Sequence, residues 1–367
     1  MELYVGRPNI PDIDDFLNIA KSILENKRLT NNGPLVREFE AELSKHLGVE
    51  HVVTVCNATI GLIVAIKALR LSGEVILPSF TFIASTHALQ WAGIKPVFCD
   101  IDPATHNINP AEIERLITDH TSAIMGVHIW GRSCAHDEIL KISHKQGLKL
   151  IYDSAHAFGT TYKSQPIAAL GDASVLSFHA TKSFNTFEGG AIVTNDHNLA
   201  ERARLLCNFS FEGEDNVTGL GINAKMAEIN AAMGLCNLKK IPEVLSHNKK
   251  VYDYYKEKLS KIKGISLIDY PENEINNYHY IITEVDEREF GHSRDAIHGL
   301  LKSQGIFARK YFNPGCHKSQ PYRTIYSDIH LPHTDNLCKR VLALPGGSGI
   351  DDFSDIDNII QLICRLL

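Results

Sequence analysis

Several common signatures are missing from this chain. No apolar run reaches the length of a bilayer span, so a membrane partner is not expected. The start, MELYVGRPNIPDIDD, lacks the basic flank and apolar core of a secretory signal. The eight cysteines, at 56, 99, 134, 207, 236, 316, 338 and 364, form no CxxC pair. Reduced thiols in a cytoplasmic protein are the expectation. The 18 histidines form no HExxH and no tight cluster, so no metal site is expected. Basic charge is not in excess: 37 Lys and Arg stand against 43 Asp and Glu, a net charge of −6. Nucleic acid is therefore an unexpected partner, whereas a small anionic ligand needs only a local positive site. There are no internal repeats and no low-complexity segment.

What is present reads as an ordinary globular chain, 44% hydrophobic and 22% charged over 367 residues. That length suits two domains. LVREFEAELSKHLG, at 35–48, repeats apolar groups at helical spacing and ends on Gly48. An alternation follows: the strands HVVTV, EVILP, KPVFCDI, AIMGVHI and LKLIYD are separated by helical segments. Short, fully apolar strands with helices between them predict a mostly parallel sheet covered on both faces. ASVLSFH and GAIVTN lie too close together for a helix between them, which predicts an edge or antiparallel addition. Residues 225–260 predict long helices interrupted near Pro242. The remainder mixes short strands and helices. The expected division is a large α/β domain over 1–245 and a smaller α+β domain over 246–367.

Three polar features fall at strand ends, where open parallel sheets bind ligands. Cys56-Asn57-Ala58-Thr59 opens a helix, and its free N–H groups suit a phosphate. Taken alone, a helix cap at Asn57 or Thr59 explains it equally well. Asp153 ends LKLIYD, where a carboxylate can cap a helix or pair with a protonated ring nitrogen. Lys182 follows an apolar strand and precedes Gly189 and Gly190. A lone lysine is ordinarily a solvated surface group. A sheltered one can lose its proton and form an imine. Together the three are what pyridoxal phosphate (PLP) requires: an imine lysine, a carboxylate for the pyridinium nitrogen and a phosphate cradle. Gly219-Leu220-Gly221-Ile222-Asn223-Ala224 fits a dinucleotide fingerprint, but the preceding FEGEDNVT is polar and not strand-like, so NAD is rejected.

NATIGL, PSFTFIAST, YDSAHAFG, SFHATKSFNTFEGGAIVTN and NAKMAEINAAMGL resemble, in order and spacing, the DegT/DnrJ/EryC1/StrS family of PLP-dependent sugar aminotransferases. The resemblance runs from about residue 4 to the C-terminus. It implies an aspartate aminotransferase-like fold (PLP fold type I), with a mostly parallel central sheet and a smaller α+β C-terminal domain. It implies Lys182 as the catalytic, imine-forming lysine and Asp153 as the pyridinium partner. His156, where many relatives carry Gln, is expected at the PLP phenolic oxygen, and Phe82 on the ring face. Ala58, Thr59 and Ser177 are expected at the phosphate. Asn208 is expected at the phosphate of a neighbouring subunit, although Phe-Ser follows it in place of the common His-Gly. Lys225, Arg309, Tyr311 and His317 are the expected substrate contacts.

The partners so implied are L-glutamate, a nucleotide-linked keto sugar and a second copy of the chain in a homodimer with shared active sites. RLTNNGP and YFNPGCHKSQPY further resemble carbon-4 enzymes acting on dTDP-4-keto-6-deoxy-D-glucose, for O-antigen or other glycan biosynthesis. A 3-keto-sugar aminotransferase of the same family is the alternative. Related sugar dehydratases are expected to carry His at the position of Lys182. A PLP-fold regulatory protein would not be expected to keep Lys182, Asp153 and Thr59 together.

Overall fold

The computed structural model describes residues 2–271 and 274–367. Its central sheet has seven strands: β1 (His51–Val55), β2 (Glu74–Pro78), β3 (Lys95–Cys99), β4 (Thr121–Val127), β5 (Lys149–Asp153), β6 (Ala173–Ser177) and β7 (Gly190–Thr194). Their spatial order is β1-β7-β6-β5-β4-β2-β3. The pairs from β3 across to β6 are parallel. Val75, Met125, Ile151 and Val175 are buried in the core on one face; Ile76, Ile124, Leu150 and Tyr152 are buried in the core on the other. Burial on both faces is why these strands read as continuous apolar runs rather than alternating ones.

The strand GAIVT is antiparallel to both neighbours, as its short return from β6 demands. It does not lie at an edge, however. It is inserted between β6 and β1, with Gly190 opposite both Ser177 and Val55. The edge position falls to β1.

The helices used below are α1 (Ile13–Asn26), α2 (Pro34–Leu47), α3 (Ala58–Ala68), α4 (Ile83–Trp91), α5 (Pro110–Leu116), α6 (His136–Gln146), α7 (His197–Cys207) and α8 (Glu228–Leu259). In α2 the apolar stripe Val36, Phe39, Leu43 and Leu47 is buried, and Gly48 closes the helix in the left-handed conformation. The Glu228 carboxylate, fixed on α8, accepts the amides of Leu35 and Val36 at 2.9 and 3.1 Å and so caps α2 from outside.

Pro242 does not end a helix: α8 continues through it for 32 residues. Both flanks are anchored, which offsets the lost backbone bond. Ala231 and Ile241 pack with Phe39 in the large unit, whereas Val251, Tyr255 and Leu259 pack with Ile281 and Ile363 in the small one. The expected boundary at 245 thus falls inside one continuous helix that passes from one core to the other. The N-terminus also departs from the expected division. Leu3–Tyr4 pairs in parallel with Ile306–Phe307, and Leu3 is buried in the small core. That core is built on an antiparallel sheet of β8 (Ile265–Leu267), β9 (Ile281–Val285) and β10 (Val341–Leu344). No helix among the described residues is long and apolar enough to cross a membrane.

Candidate active site

The site lies at the carboxyl ends of the parallel strands. Asp153 is the last residue of β5 and is buried at 6% exposure. Its carboxylate receives Ser85 Oγ at 2.6 Å and the Ala155 amide at 3.0 Å. Ser85 sits in the first turn of α4 and is 2.9 Å from Thr81 Oγ1. Since the Ser85 proton is directed at Asp153, Thr81 donates to Ser85. Burial pushes the Asp153 carboxyl up, opposed by these two donors and by the charge of Lys182. A cationic ring nitrogen set against it would restore its ionised form.

Lys182 follows β6 in the turn leading to β7, and its Nζ is 3.0 Å from the Tyr280 hydroxyl. Desolvation pulls its amine from the ordinary 10.5 down to about 8, against the opposing pull of Tyr311 and Asp153. A lysine so placed is an available base and nucleophile near neutral pH.

His156 is buried, and its Nδ1 accepts the Trp130 amide at 3.1 Å. Burial, reinforced by the Lys182 charge, holds this histidine well below its usual pKa and therefore neutral. A neutral imidazole with an acceptor at Nδ1 carries its proton at Nε2. His156 is thus a donor at Nε2, the form that a phenolic oxygen requires. Trp130 presents its amide from a left-handed backbone, φ 53°, held by complete burial of its side chain. The His156 ring also stacks on Phe312, centroids 6.0 Å apart. Phe82, 54% exposed at the start of α4, lies 6.1 Å from the Phe312 ring.

Ala58 and Thr59 form the first turn of α3. Asn57 caps only the Ile60 amide with its side chain, at 2.9 Å. Among the described residues no acceptor meets the amides of Ala58 or Thr59, so both are free for an anion. Gly190 lets β7 approach closely: a Cβ there would stand 2.9 Å from the Ala58 nitrogen. Ser177 lies beside it as the last residue of β6. The free amides, the buried carboxylate, the depressed lysine and the flat exposed ring fit PLP in its phosphate, nitrogen, aldehyde and face.

The other expected residues divide. Arg309 and Tyr311 line a cleft of about 400 Å³ that Phe82 also borders. The Arg309 guanidinium sits 5.0 Å from the Tyr311 ring centre. Asn208 and Lys225 meet each other at 2.7 Å. They line a second cavity, of about 260 Å³, with Asn31, Asn32 and Arg204, and Lys182 is not in its walls. His317 is a correction. It is 2% exposed, with Nδ1 2.6 Å from Ser79 Oγ and Nε2 3.4 Å from Asp335. These neighbours make it a tether of its loop to β2 rather than a ligand contact. The fingerprint-like 219–224 segment follows a short hairpin and opens no helix, in keeping with the rejection of NAD.

Sequence reasoning missed Ser85, Trp130, Tyr280 and Phe312. Ser85 had a signal, standing one helical turn after Phe82 in PSFTFIAST. The other three reach the site through long-range packing, for which local pattern gives no sign.

Comparison with known proteins agrees with this geometry. The DegT/DnrJ/EryC1/StrS aminotransferase family profile matches residues 12–363. The chain is 42% identical over 343 residues to a dTDP-4-amino-4,6-dideoxy-D-glucose transaminase of Shigella dysenteriae, covering 94% of this chain and 93% of that one. An Escherichia coli protein of the same name is 40% identical over 344 residues, with 93% and 92% covered. The crystal structure of DesI with its TDP-sugar product superposes with a TM-score of 0.94 at 45% identity, over 99% of this chain and 92% of that one. With Lys182, Asp153 and the α3 amides gathered at one end of the sheet, the chain belongs to the DegT/DnrJ/EryC1/StrS aminotransferase family and is PLP-dependent.

Proposed function

We propose that this enzyme transfers the amino group of L-glutamate to carbon 4 of dTDP-4-keto-6-deoxy-D-glucose, giving dTDP-4-amino-4,6-dideoxy-D-glucose for O-antigen or another glycan. The observation that carries the reaction type is the Lys182 amine, lowered to about 8 and sharing its site with buried Asp153. The substrate rests on the likeness to transaminases bearing that product's name.

Each residue then has a task. When bound, PLP supplies an aldehyde that takes up the amino nitrogen and a pyridinium ring that withdraws electrons from the donor's α-carbon. Asp153 holds the proton on the ring nitrogen, and Ser85 orients its carboxylate. His156 donates Nε2–H to the phenolic oxygen. Ala58, Thr59 and Ser177 bind the phosphate, and Phe82 covers one ring face. Lys182 Nζ, as the free amine, removes the proton from the donor's α-carbon; as the ammonium it is the acid. Arg309 and Tyr311, in the cleft beside Phe82, bind the polar and anionic parts of the nucleotide sugar.

Asn208 and Lys225 are assigned to the site of a partner copy, which makes the active unit a homodimer. Their separate cavity supports this, as do the exposed Phe209 and Leu220 nearby in sequence. The reaction is placed in the cytoplasm, which suits eight cysteines that are all free thiols. The experiment is turnover with a panel of dTDP-linked 4-keto and 3-keto sugars, with the product read by NMR. Nitrogen at carbon 4 is the expected result; turnover of the 3-keto sugar alone would overturn the substrate assignment. Mixed Lys182→Ala and Asn208→Ala chains should regain part of the activity, and no rescue after proven subunit exchange would contradict the shared site.

A further inference from the structure

Tyr280 has no part in the reading above, yet its hydroxyl is the only protein group hydrogen-bonded to Lys182 Nζ among the described residues, at 3.0 Å. We propose that Tyr280 is a further catalytic residue, whose phenol oxygen takes a hydrogen bond from the Lys182 amine whenever that amine is free. The proposal rests on Lys182 being the imine lysine and deepens that reading.

Tyr280 is 4% exposed, and among the described residues its hydroxyl bonds to nothing but Lys182. A buried hydroxyl left without a partner is costly, so the phenol is committed to this amine. Its position is held from several sides. Asn277 Nδ2 donates to the His156 carbonyl at 2.7 Å, and Asn276 Nδ2 to the Gly131 carbonyl at 2.7 Å. His279 Nε2 donates to the carbonyl of Thr181, the residue before Lys182, at 2.8 Å. The segment leading into β9 therefore grips the lysine turn twice, through backbone at Thr181 and through side chain at Lys182.

The charge balance selects the role. The titratable groups around Lys182 are Asp153, Tyr311, His156, His279 and Tyr280. Burial keeps both histidines neutral, His279 falling to about 4. Burial also pushes the Tyr280 phenol up, so it stays protonated and neutral. Asp153 is engaged by Ser85 and Ala155. The acceptor left for a Lys182 ammonium is the Tyr280 oxygen. A hydrogen bond to the charged form favours that form, so Tyr280 holds the proton on Lys182 against the desolvation that drives it off. It also fixes where Nζ waits between leaving the cofactor and acting as base.

Tyr280→Phe removes the hydroxyl and keeps the ring. In the holoenzyme, the acid limb of the glutamate half-reaction should move down by about one pH unit, so that the share of the high-pH plateau rate reached at pH 7 rises about fivefold. In full-length cofactor-free chain, the pH dependence of Lys182 acylation, read by peptide mass spectrometry, should show the same downward shift. A solely structural tyrosine would change thermal stability or cofactor content and leave both pH midpoints in place. Unmoved midpoints in folded Tyr280→Phe would overturn the proposal. Borohydride reduction separates the two levels of the argument. If the cofactor is fixed to another lysine, the underlying reading has failed. If it is fixed to Lys182 and the midpoints do not move, only the role of Tyr280 has failed.

Discussion

The pH dependence of the glutamate half-reaction follows from the environment of Lys182. The proton leaves the donor's α-carbon only when Nζ is neutral. Burial brings this amine from 10.5 to about 8, Tyr311 and Asp153 limiting the fall. At pH 7 about one Lys182 in ten is then neutral, against roughly three in ten thousand for a lysine in water, an advantage of about 300-fold. Because the site lowers the pKa, the base form is gained as pH rises through about 8 and lost below it. The half-reaction should thus slow about tenfold for each pH unit below 7 and level off above 9. Stopped-flow absorbance with saturating glutamate, from pH 6 to 9.5, measures this directly. A flat profile, or a midpoint near the ordinary lysine value, would refute the placement of Nζ in a desolvated site. The readings at pH 6 and pH 8 should differ by about 50-fold.

Three further changes probe other parts of the site and its support. Gly190→Ala would put a methyl 2.9 Å from the Ala58 nitrogen and 2.7 Å from the Leu176 oxygen. Closing the phosphate cradle in this way should weaken PLP binding by about tenfold or more, as measured by absorbance after dialysis. Ser85→Ala removes the 2.6 Å bond to Asp153, leaving burial less opposed. The carboxyl pKa should rise further, and activity at low pH should fall while activity at high pH survives. Glu228→Ala leaves the Leu35 and Val36 amides of α2 without their buried acceptor. Urea unfolding should show a loss of about 2–4 kcal/mol, with cofactor chemistry in the remaining folded protein unchanged.

Much of the fold was legible because it rests on local pattern. Strands such as EVILP and LKLIYD are apolar throughout because both faces are covered, and that signal survives in one sequence. The position of GAIVT was not legible, since pairing partners depend on what the rest of the sheet leaves open. The run of α8 through Pro242 was hidden for a related reason: two cores hold the helix, and neither is visible locally. Helix α1 was missed because Ile13, Leu17 and Leu24 lie on its exposed side and blur the stripe. At the site, strand-end chemistry pointed to Asp153 and Lys182, and resemblance extended it to Phe82 and His156. Tyr280 and Trp130 reach the site from distant chain and were out of range. His317 misled because a histidine in a polar loop looks available until Ser79 and Asp335 are seen beside it.

The central claim is that Lys182 carries the cofactor and the proton. Borohydride reduction of the PLP-loaded enzyme, followed by peptide mass spectrometry, tests it most directly. The account predicts one modified peptide, with the pyridoxyl group on Lys182, and no covalent label in Lys182→Ala even where cofactor is retained. Label on a different lysine, or undiminished labelling of Lys182→Ala, would contradict it.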